Sequence, residues 1–419
     1  MVETPEELRL KWRDYEVSTA NLPPRRQEVR LGELAEVKYG KAKPKVKGHI
    51  PVVGSGGVYD RTLKALIDSP TLIVGRKGTA GMVWLQEQPC WPSDTTFYLD
   101  WIVDSVDYRF IYYALQFRPL SGEHARTTLP SLQKPDLENY LISLPQLAEQ
   151  RSIVRTLQSM QNAIAARRRE LALERERKAA LMQHLFTHGT RPDSSSSATR
   201  FGRVPTHWTV LPLSECAEIQ TGVAKGRRLG GEKTVIVPYL RVANVQDGRL
   251  DLREIKEIEL RASEVGRYRL QDGDVLMTEG GDLDKLGRGF IWRGQIPDCV
   301  HQNHIFAVRT KRDVLLPDFL ACLIQSNYGK AYFLSVAHKT TNLASINTTK
   351  LKALPVPVPS LSEQYQIVEA LNSCDAMIDA LEREITVLDE LFRAMLEELM
   401  TGRVSALPLA EREPVGIGT

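Results

Sequence analysis

Residues Leu144–Val154 read LPQLAEQRSIV, and residues Val358–Val368 read VPSLSEQYQIV. The offset of 214 positions continues downstream, aligning Leu157 with Leu371, Ile164 with Ile378, Leu171 with Ile385 and Leu185 with Leu399. Upstream it matches Leu129–Leu132 (LPSL) to Leu343–Ile346 (LASI). A second match, at an offset of 182, pairs Leu31–Gly40 (LGELAEVKYG) with Leu213–Gly222 (LSECAEIQTG). The stretch between the two matches is therefore 32 residues longer in the second copy. Self-similarity at a fixed offset signals one architecture built twice. Similar ends around a divergent middle imply one frame carrying two different surfaces.

Each copy of the motif opens a long proline-free segment. In the second, the apolar positions are Ile367, Leu371, Cys374, Ile378, Leu381, Ile385, Leu388, Phe392, Met395 and Leu399, with spacings that alternate four and three. That is a heptad seam, and a lone helix carrying it needs a partner. The first segment supplies one through Ile153, Leu157, Met160, Ile164, Leu171, Leu181 and Leu185, interrupted by Arg167, Glu174 and Lys178. Its flanks are basic (Arg151, Arg155, Arg168, Arg169, Arg175, Arg177), whereas the second segment is acidic (Asp379, Glu382, Glu384, Asp389, Glu390, Glu397, Glu398). Opposite charge across a shared seam favours pairing of the two segments within one chain over self-pairing of either, and the module-to-helix junctions repeated at 145 and 359 imply that the pair is antiparallel.

The resulting map has an N-terminal extension at 1–28 with a short helix opened by Thr4-Pro5-Glu6-Glu7. A globular module follows at 29–144, then a central long helix at 145–189 and a serine-rich linker at 190–204. A second module spans 205–358, a distal long helix 359–403 and a flexible tail 404–419. Short β-branched runs such as Thr71–Val74, Thr95–Leu99 and Asp274–Met277, set among turn residues, predict strands. Tyr108–Phe117 and Asp318–Phe333 read as helices. The fold class is α+β: two such modules separated by a pair of antiparallel coiled-coil helices, with an internal pseudo-twofold repeat.

Net charge is +3 over 419 residues, so bulk charge does not point to nucleic acid and local clusters must. The five cysteines form no CxxC pair, which argues against a zinc ribbon or a disulfide framework and fits a reducing cytoplasm. No apolar run spans a bilayer, and no signal peptide is visible. There is no GxxxxGK[ST] phosphate loop. Asn21-Leu22-Pro23-Pro24-Arg25 lacks the aromatic residue and the placement of an amino-methyltransferase site, and Glu254-Ile255-Lys256 has the spacing of a nuclease Glu-x-Lys but lacks its upstream Pro-Asp. His301 and His304 lie at a spacing that a strand would not aim at one metal, and no carboxylate or cysteine joins His184 with His188, so no metal site is expected.

Positive charge concentrates in loops. Lys38, Lys41, Lys43, Lys45 and Lys47 follow one another almost alternately around Gly40, a spacing suited to a phosphate backbone. Gly75–Gly81 (GRKGTAG) carries Arg76, Lys77 and Thr79 on a backbone that glycine allows to approach a ligand closely. In the second module, Lys225, Arg227 and Arg228 follow Gly222 at the position matching the lysine loop. Arg241, Asn244, Lys285 and Arg288 complete the expected DNA-binding set. The expected helix-pair interface comprises Ile153, Leu157, Ile164, Leu171, Ile367, Leu371, Ile378, Leu381, Ile385 and Leu388. Two other classes stay open on residues alone: a coiled-coil adaptor whose globular ends bind protein, and a nuclease with an unrecognised centre.

Two divergent modules, each followed by a helix opened by Pro-x-Leu-x-Glu-Gln-x-x-Ile-Val, resemble the specificity subunits of type I restriction–modification systems. The motif stands at Pro145–Gln150 and Pro359–Gln364, and Pro205-Thr206-His207-Trp208 and Leu396–Gly402 are also similar to that family. The resemblance implies two target-recognition domains that bind a bipartite asymmetric site in double-stranded DNA, one half-site each. It implies two methyltransferase subunits and further restriction/translocase subunits as partners, in the cytoplasm and with no membrane. It also implies no catalysis and no cofactor in this chain, with S-adenosylmethionine, ATP and magnesium in the partners.

Overall fold

The structure, a computed structural model, describes residues 26–120, 131–192, 195–226, 229–231, 233–281, 286–339 and 344–406. The expected N-terminal helix and the tail beyond residue 406 lie outside the described residues. The chain divides into two compact units, Met1–Arg168 with Arg383–Thr419, and Arg169–Glu382.

In the first unit a four-stranded antiparallel sheet runs in the order Ala35–Tyr39, Thr96–Trp101, Thr71–Gly75, Val83–Gln86. A three-stranded sheet has Ile50–Gly54 between Gly57–Thr62 and Trp91–Pro92, and Gln27–Arg30 pairs with Leu141–Leu144. The second unit repeats this plan. Its four strands are Ala217–Thr221, Ile305–Thr310, Val275–Thr278 and Gly289–Ile291. Its three are Lys256–Arg261, Thr234–Leu240 and Val300–His301, and Thr209–Pro212 pairs with Pro355–Val358. The inner strands Thr71–Gly75 and Val275–Thr278 are buried at every residue, which is why both are short apolar runs without alternation. Most of the extra length of the second unit lies between Leu240 and Val300, where it builds the hairpin Val245–Leu250 and the helix Ala262–Tyr268.

The long helices are Leu147–His188 and Leu361–Thr401. In the first unit Ile153, Val154 and Leu157 share a core with Leu396, Leu399 and Met400, and Arg167 and Arg168 bond Glu384 and Asp389 at 2.8 Å. In the second unit Leu185 and Phe186 share a core with Ile367, Val368 and Leu371, Arg175 meets Glu382 at 2.6 Å, and Lys178 pairs with Asp375. Partner numbers fall along one helix as they rise along the other, so the pairing is antiparallel. The polar residues that break the first seam have a use: Arg167 and Lys178 reach across to carboxylates. Such exposed pairs contribute at most about 1 kcal/mol each, so they select the partner more than they stabilise it. Ile164 and Leu381 are buried, whereas Leu171, Ile378, Ile385 and Leu388 are only partly covered, since a two-helix pair shields its stripe from one side.

The repeated Glu-Gln explains the junctions. Gln150 Nε2 donates to Pro145 O at 2.9 Å, and Gln150 Oε1 accepts from Asp107 N at 2.8 Å. Gln364 Nε2 donates to Pro359 O (3.0 Å) and Val314 O (2.9 Å), and its Oε1 accepts from Leu316 N at 2.8 Å. Asp107 and Leu316 precede the helices Tyr108–Phe117 and Pro317–Gln325, so each glutamine fastens a module to the start of its own long helix. The glutamates face the end of the other long helix. Glu149 accepts from Arg26 Nη2 at 2.8 Å while Arg26 Nη1 donates to Met400 O. Glu363 accepts from Thr190 N at 3.0 Å and lies 3.0 Å from His207 Nε2. Both helices end on a left-handed glycine, Gly189 (φ 73°) and Gly402 (φ 72°).

Three expectations are corrected. Asp318–Phe333 is two helices, because Ser326 turns extended and its hydroxyl caps Gly329 N of the helix Asn327–Val336. Within the serine-rich stretch, Ser196–Thr199 and Gly202–Pro205 form a hairpin whose Phe201 packs edge-on to Tyr328 and Tyr332. The tail begins packed: Ala406 is fully buried, and its carbonyl accepts from Ser152 Oγ at 2.7 Å.

Candidate nucleic-acid interface

The strand frame of the first unit gathers four loops. Gly40 leaves the first strand against the loop at Ser93, where a Cβ would stand 2.0 Å from the Ser93 carbonyl oxygen, so only glycine fits. The hairpin tip Ser55 packs against the glycine loop, its Cβ 3.2 Å from where a Gly75 side chain would begin. Ser55 N bonds Thr95 Oγ1, and Ser93 and Thr95 bond each other at 2.8 Å. Arg76 N and Lys77 N both donate to Thr95 O. The loops at 40–47, 54–57, 75–81 and 92–95 thus meet as one polar, cationic surface.

The cations on that surface are not equivalent. Lys38 lies on the strand rather than the loop, pairing with Asp100 at 2.6 Å and Glu36 at 3.2 Å; the Asp100 hydrogen bond chiefly raises its pKa. Lys43 is paired with Asp60, which raises the lysine and lowers the carboxyl. Lys41, Lys45 and Lys47 are exposed and have no ion-pair partner among the described residues. Lys77 and Thr79 are exposed on the glycine loop. Arg76 is held: its guanidinium lies 5.3 Å from the Tyr39 ring and 5.9 Å from Phe97, and Nη2 donates to Asp94 O at 2.9 Å.

The second unit rebuilds the same frame. A Cβ at Gly222 would stand 2.0 Å from His301 O, the counterpart of the Gly40 approach, and Lys225 is exposed just beyond it. Arg227, Arg228 and Lys285 lie outside the described residues. Arg241 sits 3.6 Å from Glu254, which also meets Lys256 at 2.6 Å, so the nuclease-like Glu254 and Lys256 form a surface ion pair. Arg288 is partly buried and donates to Gln246 Oε1 at 3.2 Å. Asn244 requires a correction. It is 3% exposed, its Oδ1 accepts from Arg241 N, and its Nδ2 donates to Asp251 O and Glu254 O. Its amide closes a loop and faces no solvent.

His301 is fully buried, and burial pushes its pKa down to about 4. No group of three or more His, Cys, Asp or Glu among the described residues could hold a metal. No helix among them is long and apolar enough to cross a membrane. Sequence reading noticed Glu149, Gln150, Glu363 and Gln364 without giving them a role. Arg26, the partner of Glu149, carried no signal, because nothing local distinguishes a buried ion-pair arginine from a surface one, whereas His207, the partner of Glu363, stood out only as part of the stretch Pro205–Trp208.

One recognition frame built twice, with different loops on each copy, is the pattern to set beside known proteins. The family described as type I restriction modification DNA specificity domain matches residues 25–175 and again 205–390. The chain belongs to that family. It is 24% identical over 397 residues to the type I restriction enzyme MjaVIII specificity subunit of Methanocaldococcus jannaschii, covering 90% of this chain and 92% of that one. It is 24% identical over 367 residues to the Escherichia coli EcoBI specificity subunit, covering 81% and 75% respectively. A match to the M. jannaschii MjaX specificity subunit, 27% identical over 205 residues, spans about half of each chain. Two solved structures share the fold. A type I S subunit from M. genitalium has TM-score 0.57 and 17% identity, and a chain from work on type I R-M complex assembly has 0.56 and 19%. Each alignment covers 91% of this chain and 98% of the other. As a specificity subunit, the chain recognises DNA and is not the catalyst, and the family match disfavours a protein-binding adaptor.

Proposed function

We propose that this chain recognises a bipartite, asymmetric site in double-stranded DNA, each unit reading one half. The observation that supports this best is the repeat itself: one strand order presents different loop chemistry in each copy. Exposed Lys41, Lys45, Lys47 and Lys77 in one copy and Lys225 in the other suit phosphate contacts, which position a protein without specifying sequence. Two methyltransferase subunits and restriction/translocase subunits are the partners, in the cytoplasm. S-adenosylmethionine, ATP and magnesium belong to those partners. A likeness to a chain solved in type I complex assembly supports this reading. The family name and the relatives' names support it as well.

Methylome sequencing of cells with and without the gene tests it. The expected result is a two-part methylated motif that vanishes with the gene. Unchanged methylation, or a single continuous motif, would refute the reading. Binding of the purified chain to duplex DNA should weaken steeply with salt, since neutralised phosphates release counterions.

A further inference from the structure

We propose that one fold-equivalent position in each unit reads a base edge: Arg76 in the first, and Glu279 with His304 in the second. This rests on the DNA-reading function above. Neither sequence offset reveals the equivalence, because Arg76 and Glu279 are separated by the insertion in the second copy. The backbone does. Each residue follows an inner sheet strand, Thr71–Gly75 or Val275–Thr278. Arg76 N donates to Thr95 O at 2.9 Å, and Glu279 N donates to His304 O at 2.9 Å. Arg76 O accepts from Leu132 N at 2.9 Å, and Glu279 O accepts from Ile346 N at 2.8 Å. The next residues, Lys77 and Gly280, pair with Ser131 and Ser345.

On this shared backbone the side chains have opposite chemistry. Arg76 is stacked on Tyr39 and Phe97 and anchored through Nη2, whereas its Nη1 is neither buried nor bonded among the described residues. A fixed guanidinium offers donors only, and so suits the O6 and N7 acceptors of guanine. In the second unit, Glu279 Oε2 lies 2.6 Å from His304 Nδ1, with side chains 31% and 55% exposed. Its Oε1 is neither buried nor bonded among the described residues. A carboxylate held this way accepts only. It suits a base edge bearing an exocyclic amine, cytosine N4 or adenine N6, and repels the guanine edge. Charge reversal at one position would let the same frame read two different half-sites.

The test is enrichment of random duplex DNA by the full chain, comparing wild type with Arg76→Lys, Arg76→Ala and Glu279→Ala, each checked by thermal melting. Wild type should enrich a two-part motif. Arg76→Lys keeps charge but loses the fork. It should therefore lose a guanine preference at one position in one half, with roughly 5- to 150-fold less discrimination there, and leave the salt dependence unchanged. Arg76→Ala should lose the same preference. Glu279→Ala, a truncation at an exposed side chain, should relax one amine-bearing position in the other half alone. A folded Arg76→Lys or Glu279→Ala chain that returns the wild-type motif overturns the assignment, as does a change in both halves. If wild type enriches no motif at all, the DNA-reading function itself fails.

Discussion

Replacing Gln364 by alanine should loosen the second unit at one defined place. Gln364 is fully buried and makes three hydrogen bonds, to Leu316 N, Val314 O and Pro359 O, at 2.8, 2.9 and 3.0 Å. Truncation leaves one amide and two carbonyls without these partners in a site closed to water. A stranded buried group costs about 1–3 kcal/mol, the amide more than the carbonyls, so the sum is roughly 3–5 kcal/mol. That is a large share of a typical domain's stability of about 5–15 kcal/mol. Gln364→Glu should cost more, because a carboxylate would face two carbonyl oxygens. Hydrogen exchange read by mass spectrometry on residues 313–325, which contain Leu316 N and the helix Pro317–Gln325, measures the effect directly. Gln150→Ala should do the same at 105–117, where Asp107 N loses its acceptor. A folded Gln364→Ala chain whose 313–325 segment opens within about 1 kcal/mol of wild type would refute the clamp. So would a Gln364→Glu variant as protected as wild type.

Removing Lys41, Lys45 and Lys47 together should reduce the slope of log affinity against log salt by up to about 2.7, at roughly 0.9 per phosphate contact. Lys43→Ala should change it less, since Asp60 already neutralises that lysine; equal slopes for the triple variant and wild type would show that this loop does not meet phosphate. His301 bears on stability against pH. Its folded pKa, about 4, lies below its ordinary value of 6.5, so the unfolded chain binds the proton more readily. The contribution is full above about pH 6.5 and is lost as pH falls toward 4, on the order of 3 kcal/mol in all. His301→Phe should flatten that pH profile in chemical unfolding, and an unchanged slope would contradict it. Ile385→Lys with Leu388→Lys removes apolar contact from the helix seam of the first unit at two partly covered positions, from which the ammonium groups can still reach water, and should cost about 1–3 kcal/mol, seen as a lowered melting temperature. Full thermal stability would count against the pairing.

Much of the architecture is written locally. The Pro-x-Leu-x-Glu-Gln repeat, the heptad positions from Ile367 to Leu399 and the opposed charges of the long helices are legible because each is a pattern within a few turns of chain. Those features identified an α+β chain built twice, with two paired helices. What a side chain does at the interface was settled by residues far away. Lys38 and Lys41 look alike in sequence, yet Asp100, 62 residues on, sits on the strand beside Lys38 and neutralises it. Asn244 resembles a base-reading amide until the loop that returns at Asp251 and Glu254 encloses it. Arg76 and Glu279 share no sequence signal, because the insertion breaks the offset, and it is their backbone bonds, to Thr95 and Leu132 in one unit and to His304 and Ile346 in the other, that bring them into register. Periodicity and composition are properties of neighbours along the chain, whereas burial, ion pairing and equivalence depend on strands that meet only when the sheets close.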